Sequence, residues 1–152
     1  MNHSNAIAEF QRGVDLLRNR MPEDALAYIQ RAYEMECNNP YFISYFGLVM
    51  GLARKRWPEA QKMCEQAVHL RRNQPQLYLN LAEVYRRTGR REQARATLAT
   101  GLQLTGNSPA LRSALGKLTD RRRPAIPFLR RGHPLNQRLG KLRSQMAEFF
   151  RA

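Results

Sequence analysis

The feature that most restricts how this chain folds is a recurrence. A small residue stands at Ala25, Ala60 and Ala94, another seven residues on at Ala32, Ala67 and Gly101, and a proline follows at Pro40, Pro75 and Pro109. Successive members of each column lie 35 and then 34 residues apart. Upstream, Gly13, Gly47 and Ala82 recur at intervals of 34 and then 35, each followed three residues later by Leu16, Met50 or Tyr85. Columns that share one period of this length signal a stack of similar supersecondary units, none able to bury its apolar face alone.

The spacing within each unit predicts a helix, a tight turn and a second, antiparallel helix. Small residues let the two backbones approach, while Ile29, Cys64 and Leu98 fill one column of the buried seam. A proline suits the first turn of a helix, where its missing N–H would be unpaired anyway, and Asn39 and Ser108 stand as capping residues before Pro40 and Pro109. Helix pairs are predicted at about 5–19 and 22–37, 40–55 and 57–72, and 75–88 and 91–105, with a capping helix at about 109–118. Pro124, Pro127, Gly132 and Pro134 predict a non-helical stretch. A helical stripe then returns through Leu135, Leu139, Leu142, Met146 and Phe149 or Phe150.

Tyr78, Leu81, Ala82, Tyr85, Gly89, Ala94, Leu98 and Gly101 together resemble the tetratricopeptide repeat, as do Phe46, Gly47, Ala60 and Ala67 one unit earlier. The second unit carries one extra residue in its Arg54-Lys55-Arg56-Trp57-Pro58 turn, and the first places Glu9 and Arg12 where the family pattern has large apolar residues. The resemblance covers roughly residues 6–108 and implies an all-α antiparallel helix-pair solenoid of three repeats. The expected organisation is a repeat domain with its capping helix over 5–118, an extended Pro/Arg-rich linker over 119–134 and a basic amphipathic terminal helix over 135–152.

In this family the first helices of successive repeats line a concave groove that holds a peptide or a partner helix. Carried over by register, the resemblance implies a groove formed by Phe10, Val14 and Leu17, then Tyr41, Tyr45, Leu48 and Leu52, then Asn80. Phe10, Val14 and Leu48 read equally well as core. One subset of the family grips a peptide's terminal carboxylate with Lys, Asn and Arg. Here only Asn80 and Arg87 match such roles, so that clamp is not expected.

Charge adds a second candidate surface. The net charge is +14, and residues 1–38 carry four Arg against six acids, whereas residues 109–152 carry eleven basic against two acidic residues. Arg121, Arg122, Arg123, Arg130, Arg131, Arg138, Lys141 and Arg143 form a cluster suited to an anionic partner, either nucleic acid or an anionic membrane. The apolar stripe among them can equally pack on the chain's own repeats or on a second copy, so self-association stays open.

Catalysis finds no foothold. His3, His69 and His133 stand in separate segments, Cys64 and His69 are five residues apart on one helix, and no phosphate loop, nucleophile elbow or metal-ligand spacing occurs. No cofactor is expected, and the cysteines Cys37 and Cys64 are expected as reduced thiols. Met1-Asn2-His3-Ser4-Asn5-Ala6 is unlike an export leader, and the Phe42–Ala53 stretch is too short to span a bilayer. A cytoplasmic, non-enzymatic adaptor or chaperone-like protein is the expectation, with another protein as its partner.

Overall fold

The computed structural model describes residues 2–119. The linker, the terminal helix and the eight cations assigned above to an anionic partner lie outside the described residues. Among the described residues there are seven helices and no strand: α1 (Asn2–Arg18), α2 (Pro22–Met35), α3 (Pro40–Arg54), α4 (Trp57–Leu70), α5 (Pro75–Arg87), α6 (Arg91–Thr105) and α7 (Pro109–Thr119). They pair as α1 with α2, α3 with α4 and α5 with α6, and α7 packs on α5 and α6. The first helices also meet each other, α1 with α3 and α3 with α5, so the pairs stack into an all-α repeat solenoid closed by a seventh helix.

The helix starts follow the chemistry read from the sequence. Pro22, Pro40 and Pro75 occupy first-turn positions, and the Asn39 side chain accepts a hydrogen bond from the Tyr41 amide at 3.1 Å. The turn inside each repeat has its own recurrent device. Arg20, Lys55 and Gly89 are left-handed, with φ of 61°, 59° and 78°. Only the third is a glycine, so the first two turns carry a side chain in a conformation that costs roughly 1–2 kcal/mol.

Each second helix buries the same triple, Ala25-Ile29-Ala32, Ala60-Cys64-Ala67 and Ala94-Leu98-Gly101. Steps of four and three residues put each triple on one face, toward its repeat partner and the next repeat. The fit there is close: a Cβ added at Gly13 would stand 2.3 Å from Ile29 Cγ1, and one at Gly47 would stand 2.9 Å from Met63 Cβ and 3.0 Å from the Ala60 carbonyl oxygen. The inner first helices α3 and α5 bury seven residues each, because neighbours flank them on both sides. End helix α1 leaves Ile7 at 36% exposure.

Polar groups are matched rather than omitted. Asn80 Nδ2 donates to Ser44 Oγ at 3.0 Å between α5 and α3, and both residues are buried. The Tyr85 hydroxyl donates to Glu65 at 2.7 Å, with the Arg90 guanidinium 4.7 Å over the Tyr85 ring centre. Burial and the Glu65 carboxylate push the Tyr85 hydroxyl up to about 12. Glu9 and Arg12, the departures from the family pattern in the first repeat, are explained by their neighbours. Glu9 accepts from Arg31 at 2.6 Å, and Arg12 and Arg31 both lie over the Tyr28 ring. Among the described residues no buried side-chain nitrogen or oxygen lacks a partner.

Two outcomes follow. Gly47→Ala pushes backbone and Cβ apart and should cost about 1–3 kcal/mol, whereas Gly116→Ala in α7, where a Cβ meets nothing within 4 Å, should gain up to about 1 kcal/mol of helix propensity. Urea denaturation followed at 222 nm reads both, and equal effects would refute the close-approach account. The thiols should also differ in reactivity. Cys64 is fully buried and donates to the Ser44 carbonyl at 3.3 Å, burial lifts its thiol to about 12, and Cys37 is exposed. Native labelling with a thiol reagent should modify Cys37 within the mixing period and Cys64 only on unfolding; matching rates would contradict this packing.

Candidate functional site

The stacking of α1, α3 and α5 brings four of the register-matched residues, Phe10, Val14, Tyr41 and Tyr45, to one cleft. Phe10 of α1 lies 4.7 Å from Phe42 between ring centres and meets Tyr45 edge-on at 5.0 Å and 89°. Edge-on and tilted rings are favourable arrangements for aromatic quadrupoles, and they hold Phe10 and Tyr45 as one wall. Beside this wall is an open cleft of about 580 Å³ lined by Phe10, Gln11, Val14, Asp15, Arg18, Tyr41, Tyr45 and Gln76. Phe10, Val14, Tyr41 and Tyr45 are half-buried, the state of an apolar side chain that is supported from behind and open in front.

The other residues that the sequence placed in the groove behave differently. Leu48 is buried among Ala60, Cys64, Leu81 and Tyr85 in the main core, and Leu52 packs against the same cluster. Leu17 packs with Ala25, Ile29 and Val49. Asn80 is 3% exposed, and its amide is used on both sides: it donates to Ser44 and accepts from Gln76 Nε2 at 2.8 Å. Gln76, held in this way by Asn80, is the member of that chain that reaches the cleft. Asp15 and Arg18 were not singled out from the sequence. Their spacing of four and seven residues from Gln11 was the available signal, since it sets all three on one face of α1.

A second, smaller cleft of about 250 Å³ continues beyond α5, lined by Leu79, Ala82, Glu83, Arg86, Leu98, Ala114 and Leu118. Three of its seven lining residues come from α6 and α7, so the capping helix completes it. Glu83 accepts from Arg86 at 2.6 Å and from Arg87 at 2.8 Å. Burial alone would raise its carboxyl, but the two guanidinium bonds outweigh this and hold it below the ordinary carboxylate range. In the first cleft burial raises the Tyr45 hydroxyl, against the opposing pull of Arg18. Asp15 and Arg18 pair at 3.3 Å but stay mostly in water, so their charges remain available to a ligand.

Among the described residues no group of three or more His, Cys, Asp or Glu side chains is placed to hold a metal ion, and no helix is long and apolar enough to cross a membrane. An aromatic wall, the aliphatic Val14, two amides and one ion pair line the first cleft.

Comparison with known proteins agrees with this geometry. A family model of the tetratricopeptide repeat matches residues 51–118. No match was found among curated protein sequences. Among solved structures, the second tetratricopeptide domain of human RPAP3, determined in complex with an HSP70 peptide, is 21% identical and covers 80% of this chain and 100% of its own, with a TM-score of 0.61. The first such domain of Spaghetti (RPAP3), bound to an HSP90 peptide, is 17% identical, covers 78% and 95% respectively, and has a TM-score of 0.62. The type III secretion chaperone SycD of Yersinia enterocolitica, in complex with a peptide of the translocator YopD, is 16% identical over 73% of this chain and 89% of that one, with a TM-score of 0.56. Residues 51–118 thus match the tetratricopeptide repeat, and the three helix pairs with their closing seventh helix share the fold of these tetratricopeptide domains.

Proposed function

We propose that the chain is a protein-interaction adaptor that holds an extended or helical peptide segment in the groove of its first helices. The observation that carries this reading is the half-open aromatic wall of Phe10 and Tyr45 beside Tyr41 and Val14, which lines one open cleft together with Gln11, Asp15, Arg18 and Gln76. Solved neighbours of the same fold hold peptides, which supports the class of ligand. Burying one such aromatic or aliphatic anchor is worth roughly 1.5–3 kcal/mol, enough for a few anchors to give useful affinity.

The chemistry of the wall also argues for a type of segment. Arg86 and Arg87, the arginines at the end of α5, are both bonded to Glu83, and Asn80 is spent inside the fold. Half-buried Gln76, bonded to Asn80, is then the α5 side chain at the first cleft. An internal segment with aromatic or aliphatic side chains at helical spacing fits better than an acidic C-terminus. The basic cluster from Arg121 to Arg143 is compatible with a second contact to the same partner.

The test is a displayed peptide library selected on the full-length protein, with the best binder remeasured by fluorescence anisotropy. Val14→Asp with Tyr45→Ala should weaken it at least about tenfold, equivalent to 1.4 kcal/mol, with an unchanged helical signal. Tyr45→Phe should keep most of the affinity. A labelled peptide with the acidic C-terminus of HSP70 should bind weakly or not at all. Full affinity in the double variant, or tight binding of the acidic peptide, would overturn the assignment.

A further inference from the structure

We propose that the edge formed by the α3–α4 and α5–α6 turns is a docking surface for double-stranded nucleic acid, held through its phosphates and without base reading. This surface is separate from the groove. It lies within the repeats themselves, where residues 54–59 and 83–92 carry seven Lys or Arg against three acids. The equivalent edge of the first repeat, residues 15–24, carries two Arg against three acids, so the basic character begins at the second repeat.

The state of these cations matters more than their number. Arg56 is bonded to Glu59, and Arg86 and Arg87 share Glu83, so one carboxylate serves two guanidinium groups. Arg54 and Arg91 are exposed and have no ion pair among the described residues, and Lys55 spends its ammonium only on the Leu52 carbonyl at 3.1 Å. Lys55 also sits in the left-handed turn conformation at φ 59°, where a glycine would be the easier residue.

The absence of other features on the two turns selects the partner. Among the described residues, the exposed large apolar side chains are Ile7, Met21, Met35, Leu70 and Leu104, none of them on these turns. A protein interface needs an apolar or aromatic anchor, and a membrane surface helix needs an apolar face to insert. Single strands are held by stacking bases on exposed aromatics. The aromatic here, Trp57, is half-buried beside Gly51, whose added Cβ would stand 2.5 Å from its ring. What is left is contact by charge alone. A duplex presents one phosphate charge per about 1.7 Å of axis, so cations on two adjacent turns, one helix-packing distance of about 10 Å apart, meet phosphates without a sequence match.

The experiment uses the full chain and a short labelled duplex of mixed sequence, with anisotropy titrations at several KCl concentrations. The variant is Arg54→Gln, Lys55→Gly and Arg91→Gln together, chosen because none of the three breaks a side-chain ion pair and the glycine relieves the turn. The slope of log affinity against log salt should become shallower by about 0.9 for each lost phosphate contact, so by about 2–3, with affinity roughly tenfold lower at moderate salt. Arg54→Lys with Arg91→Lys should retain most of the binding. If the triple variant melts early, Arg91→Gln alone should still lower the slope by about 0.9. Unchanged affinity and slope in a folded variant would overturn the proposal, placing any duplex binding elsewhere in the chain. Equal losses toward anionic lipid vesicles or polyglutamate would overturn it too, since the edge would then not favour a duplex.

Discussion

The rest of the structure depends on how closely two helix backbones approach inside each repeat. At Gly47 the facing helix comes so near that a single added carbon would press on Met63 and on the Ala60 carbonyl. That distance lets short side chains make a dry seam, with Ile29, Cys64 and Leu98 as its larger members. Dispersion and burial both fall steeply when such a seam opens, so the pair either packs at this spacing or loses much of its stabilisation. The turn between the helices must then be short, which explains why a left-handed residue recurs at Arg20, Lys55 and Gly89 even where no glycine is supplied.

Close pairing has a consequence for the opposite face. Because the second helices satisfy one side of α3 and α5, and neighbouring first helices the flanks, one strip of each first helix is left facing outward. On α1 and α3 that strip is aromatic: Phe10 and Tyr45 stay half-buried, and Phe10 rests on the buried Phe42 behind it. On α5 the strip turns polar, and Asn80 directs its amide inward to Ser44 and holds Gln76 at the surface. A buried amide that is satisfied on both sides also fixes the register of α3 against α5, since a shift would leave it unpaired at a cost of about 1–3 kcal/mol. One set of contacts therefore sets both the stacking and the floor of the groove.

The two candidate surfaces use different physics. The groove sets an aromatic wall among polar side chains in a concavity, where desolvation would reward a complementary segment and discriminate among side chains. The turn edge offers only charge, on side chains that lie mostly in water, where attraction is long-ranged, salt-sensitive and tolerant of sequence. Both come from the same repeat: its first-helix face makes the groove and its internal turn makes the edge.

Much of the fold was legible in the chain. The 34–35-residue period, the prolines at helix starts and the small-residue columns led to an all-α stack of helix pairs with ends within a few residues of those observed, because such local rules act on neighbours along a helix. The groove was legible only in outline. Register placed Phe10, Val14, Tyr41 and Tyr45 at the cleft, but it could not separate them from Leu48 or Asn80, which share the same columns and are buried in the structure. Nor could it show that Glu9 and Arg12 are met by Arg31 and Tyr28, or that α7 completes a second cleft. The sequence by itself determined the repeat, its helices and its charge gradient, since these follow from spacing and composition. Which apolar side chains line the cleft, which polar groups are already satisfied and which cations remain unpaired was decided only by tertiary structure, because each depends on what a distant segment brings within a few ångströms.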